Sequence, residues 1–275
     1  MASQSAFPSY EAVRTPEKAV LVTDDMKRLY WTLDGPLETA ISVMPQPYYE
    51  ADATREPYFT PAMSAWHAVS QAAFTEPRVS SCTVSVRELD EWEDIFLDFH
   101  EEHNEDDPTA DRGPLPDPTP EELAEPWPPG HRHLLSCCGF PRPRNKAVSL
   151  VVRAGPEGPG FVTVHDYVTQ IHPWLLGLRA DLLGAVGVVH GDDGEPLPAD
   201  AKLKLMVFPQ PDCLWACPES EWMMVMEKRE ALAPRQPDVR NFWADPFPED
   251  PTQPLVLGGH VFWRPGFDPR TESRE

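Results

Sequence analysis

Cysteine is scarce in this sequence, long apolar runs are absent and basic residues are few. Five cysteines in 275 residues are too few for a disulfide scaffold and are typical of an intracellular chain with reduced thiols. No apolar run approaches the roughly 18 residues of a membrane-spanning helix, and the N-terminus lacks the basic and then apolar order of a signal peptide. The net charge of −22 disfavours nucleic-acid binding, because phosphate groups repel such a surface. We therefore expect an intracellular protein, cytoplasmic or nuclear, that contacts neither membrane nor nucleic acid.

Proline, by contrast, is abundant, and its distribution suggests how the chain is divided. The 34 prolines are more than twice the ordinary usage, which predicts long loops around a modest core. Residues 1–105 are expected to form the N-terminal part of a single domain and residues 131–265 its main α+β region. Between them, residues 106–130 are acidic and proline-rich, which is typical of a mobile linker or loop that buries little apolar surface. Residues 266–275 are expected to be a disordered tail.

Four short apolar or alternating segments predict strands. They are residues 79–86, 147–154, 203–208 and 255–263. Together they predict an α+β fold, in which a small, mostly antiparallel sheet is packed with helices and surrounded by long proline-rich loops.

The clearest helix signal begins at Thr163. Thr163 and Asp166 have the spacing of a capping box, and the apolar stripe that follows contains Ile171 and continues to Leu178. Pro173 predicts a kink or break. A second helix is expected to follow at once, with a glycine C-cap near Gly187. Amphipathic or helical patterns also occur at residues 89–99 and 219–232.

The region from His133 to about Trp222 resembles an uncharacterised fungal domain family. The residues that carry the resemblance are the strand Val148–Val152, a turn, and the helix opening Thr163-Val-His-Asp with its apolar continuation. The match covers about a third of the chain. The resemblance implies an intracellular α+β domain of fungal origin, and it supplies no catalytic residue, because the family has no established activity.

Two groups of histidine and cysteine suggest metal chemistry. His100 and His103 are three residues apart and can share a helix face, although a solvated acidic helix end explains them equally well. Cys137-Cys138 and Cys213-x3-Cys217, with His131 and His133 nearby, invite a zinc interpretation. Adjacent cysteines are poor joint ligands, however, and free cysteine is commonly a small buried hydrophobe. From the sequence we expect no metal, no stoichiometric zinc and no other cofactor.

A third group, His165-Asp166 and His172, could contribute to catalysis. No nucleophile motif of the Gly-x-Ser-x-Gly type accompanies these residues, and Asp166 is explained as a helix cap. No catalytic residue is therefore assigned.

A basic patch stands out because the chain is otherwise so acidic. Its candidate binding residues are Arg132, Arg142, Arg144 and Lys146. One interpretation is contact with an anion or partner. The alternative, which we favour, is intramolecular pairing with the acidic segment upstream.

These observations favour a non-enzymatic protein-interaction domain that uses its acidic and proline-rich loops to engage a protein partner. A hydrolase or other small-molecule enzyme, with a site assembled from scattered His, Asp and Cys, is the alternative. A metal-supported structural module is a third hypothesis.

Overall fold

The computed structural model describes most of the chain, and the structure given below is that of the described residues. They are residues 7–15, 19–103, 107–124, 126–128, 130–191, 194–207, 210–232, 255–257 and 260–262. The expected tail at 266–275 lies outside them.

Helices and strands are interspersed along the described chain. The helices are α1 (Tyr10–Val13), α2 (Asp24–Lys27), α3 (Leu37–Ala40), α4 (Arg87–Phe99), α5 (Pro120–Ala124), α6 (Val164–Gly177), α7 (Arg179–His190) and α8 (Glu219–Leu232). The strands of the N-terminal part are β1 (Leu21–Val22), β2 (Leu29–Thr32), β3 (Ile41–Val43), β4 (Glu56–Pro57), β5 (Phe59–Thr60), β6 (Ala65–Trp66), β7 (Thr75–Glu76) and β8 (Ser81–Val86). The later strands are β9 (Ala110–Gly113), β10 (His133–Cys137), β11 (Phe140–Pro141), β12 (Ser149–Arg153), β13 (Leu203–Val207), β14 (Cys213–Pro218), β15 (Leu255–Leu257) and β16 (His260–Phe262).

The main sheet has seven strands in the order β12-β8-β14-β13-β2-β3-β4. It confirms the mixed α+β class, and three of the four predicted strands (β8, β12 and β13) lie in it. The sheet is nevertheless larger than the small sheet expected, because β14 and the N-terminal strands β2, β3 and β4 join it, and it is mixed. The fourth predicted strand region instead forms a separate hairpin, β15–β16. The N-terminal strands were missed because they are only two to four residues long, too short to show a period.

Helix α6 confirms the predicted capping box. The Thr163 hydroxyl accepts from the Asp166 amide at 3.0 Å, and the Asp166 carboxylate accepts from the Thr163 amide at 3.0 Å. Most of the stripe is buried, with Ile171 fully so and Trp174 and Leu178 half-buried. The predicted break at Pro173 is wrong, because the helix continues to Gly177: buried residues on both sides of the proline stabilise it there.

Gly187 does not cap helix α7, although the sequence predicts a glycine C-cap there. It lies inside α7, which continues to His190. A Cβ at this position would meet the Glu195 carbonyl oxygen at 2.1 Å. Glycine is therefore needed here for the close approach of another backbone segment, not for a left-handed helix end.

The described chain divides into two compact units. The first comprises residues 1–85, 149–178 and 201–275, and the second residues 86–148 and 179–200. The expected boundaries at 105/106 and 130/131 both fall inside the second unit. Part of the expected linker, β9, pairs there with β10. Within the described residues, no helix has the length and apolar character needed to cross a membrane.

The second unit contains its own helix pair, α4 and α7. Trp92 of α4 packs against Gly184 of α7, where a Cβ would lie 2.6 Å from the indole ring. The imidazole of His190 lies 3.2 Å from the carboxylate of Glu88, and both are buried. This pairing fixes α4, whose C-terminal end carries the candidate site.

Candidate metal centre

Four potential metal ligands converge in the second unit. The ring nitrogens of His100 and His103 and the sulfurs of Cys137 and Cys138 all lie within 4.8 Å of one another. Two of them follow the end of α4, and the other two are located at the end of β10. The structure thus joins two residue pairs that the sequence presents as separate candidates.

The end of α4 positions the two histidines. His100 is the C-cap residue, and its amide donates to the Phe96 carbonyl at 3.2 Å. The chain then makes one further turn, in which the His103 amide donates to the His100 carbonyl at 3.1 Å. Arg112 fixes this turn by donating to the His103 carbonyl at 2.8 Å. Both imidazoles are therefore held on one side of the helix end.

A tight hairpin positions the two cysteines. Cys137 pairs with Phe140 across β10 and β11, which leaves Cys138 and Gly139 as a two-residue turn. Their φ angles are 51° and 87°, as in a type I′ turn. Such turns favour Asn-Gly or Gly-Gly, and a residue with an ordinary side chain is strained in the left-handed region. Backbone strain of this kind clusters at functional sites.

The turn also explains how adjacent cysteines can face the same point. Neighbouring residues in a strand point to opposite faces, but the left-handed conformation of Cys138 breaks that alternation. The two sulfurs are 4.0 Å apart. With zinc–sulfur bonds of about 2.3 Å, a tetrahedral zinc site places two sulfurs about 3.8 Å apart. The objection to Cys137-Cys138 as joint ligands therefore does not hold in this conformation.

His103 Nδ1 lies close to both cysteine sulfurs. His103 Nδ1 lies 3.6 Å from Cys138 Sγ, close to the nitrogen–sulfur separation of about 3.6 Å in a tetrahedral zinc site. It lies 2.9 Å from Cys137 Sγ, which is a hydrogen-bond contact. A bound ion would replace this hydrogen bond with two metal bonds and move the two atoms apart by about 0.7 Å.

Electrostatics prepares His100 for metal binding. Burial, together with the neighbouring His103, lowers the pKa of His100, so its imidazole is neutral at pH 7, as a metal ligand must be. Its Nδ1 is buried and has no hydrogen-bond partner among the described residues. A buried polar atom without a partner costs free energy, and a metal bond would remove that cost.

The surroundings of the four ligands are apolar on one side and hydrogen-bonding on the other. Phe96 packs edge-on against His100, with ring centroids 4.5 Å apart. Thr109 Oγ1 lies 3.9 Å from Cys137 Sγ and 3.8 Å from Cys138 Sγ, and the Thr109 carbonyl accepts from the Cys138 amide at 3.1 Å. Burial raises the pKa of the Cys137 thiol. Without a cation, Cys137 therefore stays protonated, and metal binding must displace its proton.

The other zinc candidates lie elsewhere. Cys217 is buried in an apolar cluster with Trp222 and Met226, and the partly buried Cys213 packs against that cluster. His131 stacks on Trp127 with ring centroids 4.3 Å apart, and His133 meets the same indole edge-on. None of these residues belongs to the four-ligand group found in the described part of the chain.

The third candidate group has structural roles in the first unit. His172 is buried, accepts from Trp31 Nε1 at 3.1 Å and donates to the Gly35 carbonyl at 2.9 Å. Asp166 is committed to the α6 capping box. His165 lies beside the Trp66 ring, with centroids 4.7 Å apart. These contacts assign each side chain to packing or capping.

The candidate binding residues of the basic patch have partners within the second unit. Arg142 Nε lies 2.6 Å from Glu93 Oε1, and Arg144 Nη2 lies 2.5 Å from Glu122 Oε2. Lys146 Nζ lies 2.8 Å from Asp181 Oδ1, while Arg132 donates to the Arg112 carbonyl. For Arg142 and Arg144 these are the contacts expected from the intramolecular alternative. Binding of an anion or partner by the four residues stays a prediction.

Glu122 is the acidic centre of this network. Burial acts to raise the pKa of its carboxyl, but the Thr119 amide and the guanidinium groups of Arg144 and Arg142 lower it overall. Thr119 and Glu122 also form the reciprocal hydrogen bonds of a capping box at the start of α5, at 2.7 and 3.2 Å. The ion pairs therefore attach α5 to the segment that follows the cysteine hairpin.

In comparisons with known proteins, no protein-family model, curated protein or solved structure matches the chain. The resemblance to a fungal domain family stays a prediction.

Proposed function

We propose that this protein is a non-enzymatic interaction domain whose second unit is stabilised by a structural zinc ion. The observation that carries the proposal is the convergence of His100, His103, Cys137 and Cys138, which offers four protein ligands. Structural zinc sites use four such ligands, whereas catalytic zinc sites keep one position for water or substrate. The complete ligand set therefore supports a structural role over the alternative of a hydrolase.

The ligand types favour zinc over other abundant cations. Thiolate and imidazole groups suit zinc, whereas calcium and magnesium take oxygen ligands. Asp107 Oδ2 lies 4.0 Å from His103 Nδ1, at the distance of a supporting charge. Two neutral imidazoles and two thiolates balance the charge of one Zn²⁺.

Exposed residues of the second unit support the interaction role. The segment after α5 is proline-rich, and Pro126, Trp127 and Pro128 are exposed in it. Proline limits the entropy that such a segment loses on binding, and tryptophan is enriched at interfaces. In this proposal the zinc ion holds the hairpin and the α4 end, and the loops contact a protein partner.

Metal analysis tests the zinc centre. We expect purified protein to contain one zinc per chain, or to take it up when zinc is added. Cys138→Asn removes one ligand and should abolish stoichiometric binding, whereas Cys213→Ser, which alters a cysteine outside the cluster, should retain it. Absence of binding by the wild type, or equal loss in both variants, would contradict the proposal.

The stability of Cys138→Asn, with and without zinc, provides a second test of the metal centre. Asn-Gly is the favoured pair for this turn, so in metal-free protein the variant should be more stable than wild type, on the order of 0.5–1 kcal/mol. With zinc present the order should reverse, because only wild type gains the free energy of binding. Denaturant melts with zinc and with chelator measure both signs. If the stability difference between the variant and wild type has the same sign with zinc and with chelator, the cysteine is not a metal ligand.

A further inference from the structure

We propose that Cys138 is an oxidation site, at which hydrogen peroxide modifies one zinc ligand and releases the metal. The inference rests on the proposed zinc centre, because it concerns the thiolate that the ion stabilises. It depends on an asymmetry between two adjacent ligands that differ in access to solvent.

The asymmetry is one of burial. Cys137 is fully buried and belongs to the apolar cluster of Phe96 and Leu134. Cys138 is exposed, because it occupies the first position of the hairpin turn, beyond the last paired residue of β10. His100 is also buried, whereas His103 is half-buried. A small oxidant from solvent therefore reaches the Cys138 sulfur before it reaches the Cys137 sulfur.

Zinc keeps that exposed sulfur in its nucleophilic form. A thiolate reacts with peroxide where a thiol does not. The Cys138 thiolate attacks one oxygen of hydrogen peroxide, so that a sulfur–oxygen bond forms and the oxygen–oxygen bond breaks. The departing hydroxide takes a proton from solvent and becomes water. Sulfur loses two electrons, peroxide gains them, and the product is a sulfenic acid.

The modified residue is a poorer ligand than the thiolate. A sulfenic acid is neutral at its sulfur, so the zinc ion loses one of its two anionic ligands and with it the charge balance of the site. The Cys137 thiol lies 4.0 Å away, close enough to condense with the sulfenic acid. That step would form a disulfide and release water, and it would remove the second anionic ligand.

Peroxide treatment of zinc-loaded protein, with a coloured zinc chelator and a sulfenic-acid reagent present, tests the inference. We expect loss of the bound zinc and labelling at Cys138, ahead of any label at Cys137 or Cys213, when peptides are mapped by mass spectrometry. Cys213→Ser should release zinc as wild type does. First labelling at Cys137 or Cys213, or release of zinc without any modification of Cys138, would overturn it.

A ligand-preserving variant separates the thiol from the metal site. Histidine is tolerated at positive φ better than most residues, so Cys138→His offers a nitrogen ligand at the same turn position. Its zinc should stay bound under conditions that empty wild type. If that variant binds no zinc, the order of labelling in wild type still decides. Protein without zinc before peroxide is added contradicts the proposed function, whereas bound zinc that peroxide leaves in place contradicts only the oxidation.

Discussion

Lys204 shows how much a single residue can depend on its surroundings. It lies on the central strand β13, and the sequence pattern alternates there as in a strand with one solvent face. In the structure all five residues of β13 are buried, because the face that carries Lys204 is covered as well: Met206, on the same face, packs with Trp222 and Met226 of α8. The Lys204 ammonium lies over the Tyr30 ring, 3.4 Å from its centroid, and 2.9 Å from Thr32 Oγ1.

Burial has a measurable consequence for this lysine. It lowers the pKa of Lys204 to about 8, even though Glu219, with an oxygen 3.3 Å from Nζ, acts to raise it. The unfolded chain keeps the ordinary lysine pKa of about 10.4. Between these two values the unfolded state binds the proton and the folded state does not, so stability rises with pH.

We therefore predict a pH-dependent difference between wild type and Lys204→Met. Below pH 8 both states of wild type carry the proton, and the cost of burying the charge is full and constant. From pH 8 to about 10.4 that cost disappears, so wild type should gain on the order of 2–3 kcal/mol relative to the variant. Denaturant melts of both proteins at pH 7, 8, 9 and 10 measure the difference. A difference that stays flat with pH would mean that Lys204 titrates normally.

At the scale of the element, α6 is the part of the fold that its own sequence determines best. The capping box and the apolar stripe are local patterns, with partners three, four or seven residues apart, and both occur as predicted. The same holds for α4, which spans the predicted amphipathic segment. Local signals suffice where an element is stabilised by its own end groups and by one buried face.

Two variants of α6 test the cap and the stripe separately. Thr163→Ala removes the hydroxyl that accepts from the Asp166 amide and should cost about 1 kcal/mol of stability. Ile171→Ala leaves a cavity at a fully buried position and should cost roughly 2–5 kcal/mol. Denaturant melts give both values.

Leu176 supplies the matched control on the same helix. It is 36% exposed, so Leu176→Ala removes a similar side chain with much less burial and should cost less than Ile171→Ala. Equal costs for the two would show that the stripe does not face the core.

The metal centre lies beyond what local patterns reveal. His100 and Cys138 are separated by 37 residues, of which 18 are Asp, Glu or Pro, and their approach depends on the pairing of β9, β10 and β11. The sequence did carry one signal, since Cys138-Gly139 follows an apolar strand in the way that Asn-Gly does in a hairpin. Cysteine is an unusual first residue for such a turn. This unusual choice is the sequence signal that could have linked the cysteine pair to the histidine pair.

At the scale of the whole molecule, the two units differ in what stabilises them. The first contains the seven-stranded sheet. The second has a small apolar cluster around its hairpin, in which Phe96, Leu134 and Cys137 are buried and Leu97, Ala110 and Phe140 are partly buried. So small a cluster gives the hairpin limited stability, which is the situation in which small folds add a structural metal. Removal of zinc should therefore affect the second unit selectively.

Hydrogen exchange with and without a chelator tests that selectivity. We expect backbone amides of β9, β10 and β11, and those at the end of α4, to lose protection when zinc is removed, because metal binding and folding are coupled there. Amides of α6 and β13 should keep theirs, since they lie in the first unit. Cys138→Asn should exchange in the same way with and without chelator, because it has no bound zinc to lose. Equal loss of protection in both units would mean that they unfold together, and no loss anywhere would mean that zinc does not stabilise the hairpin.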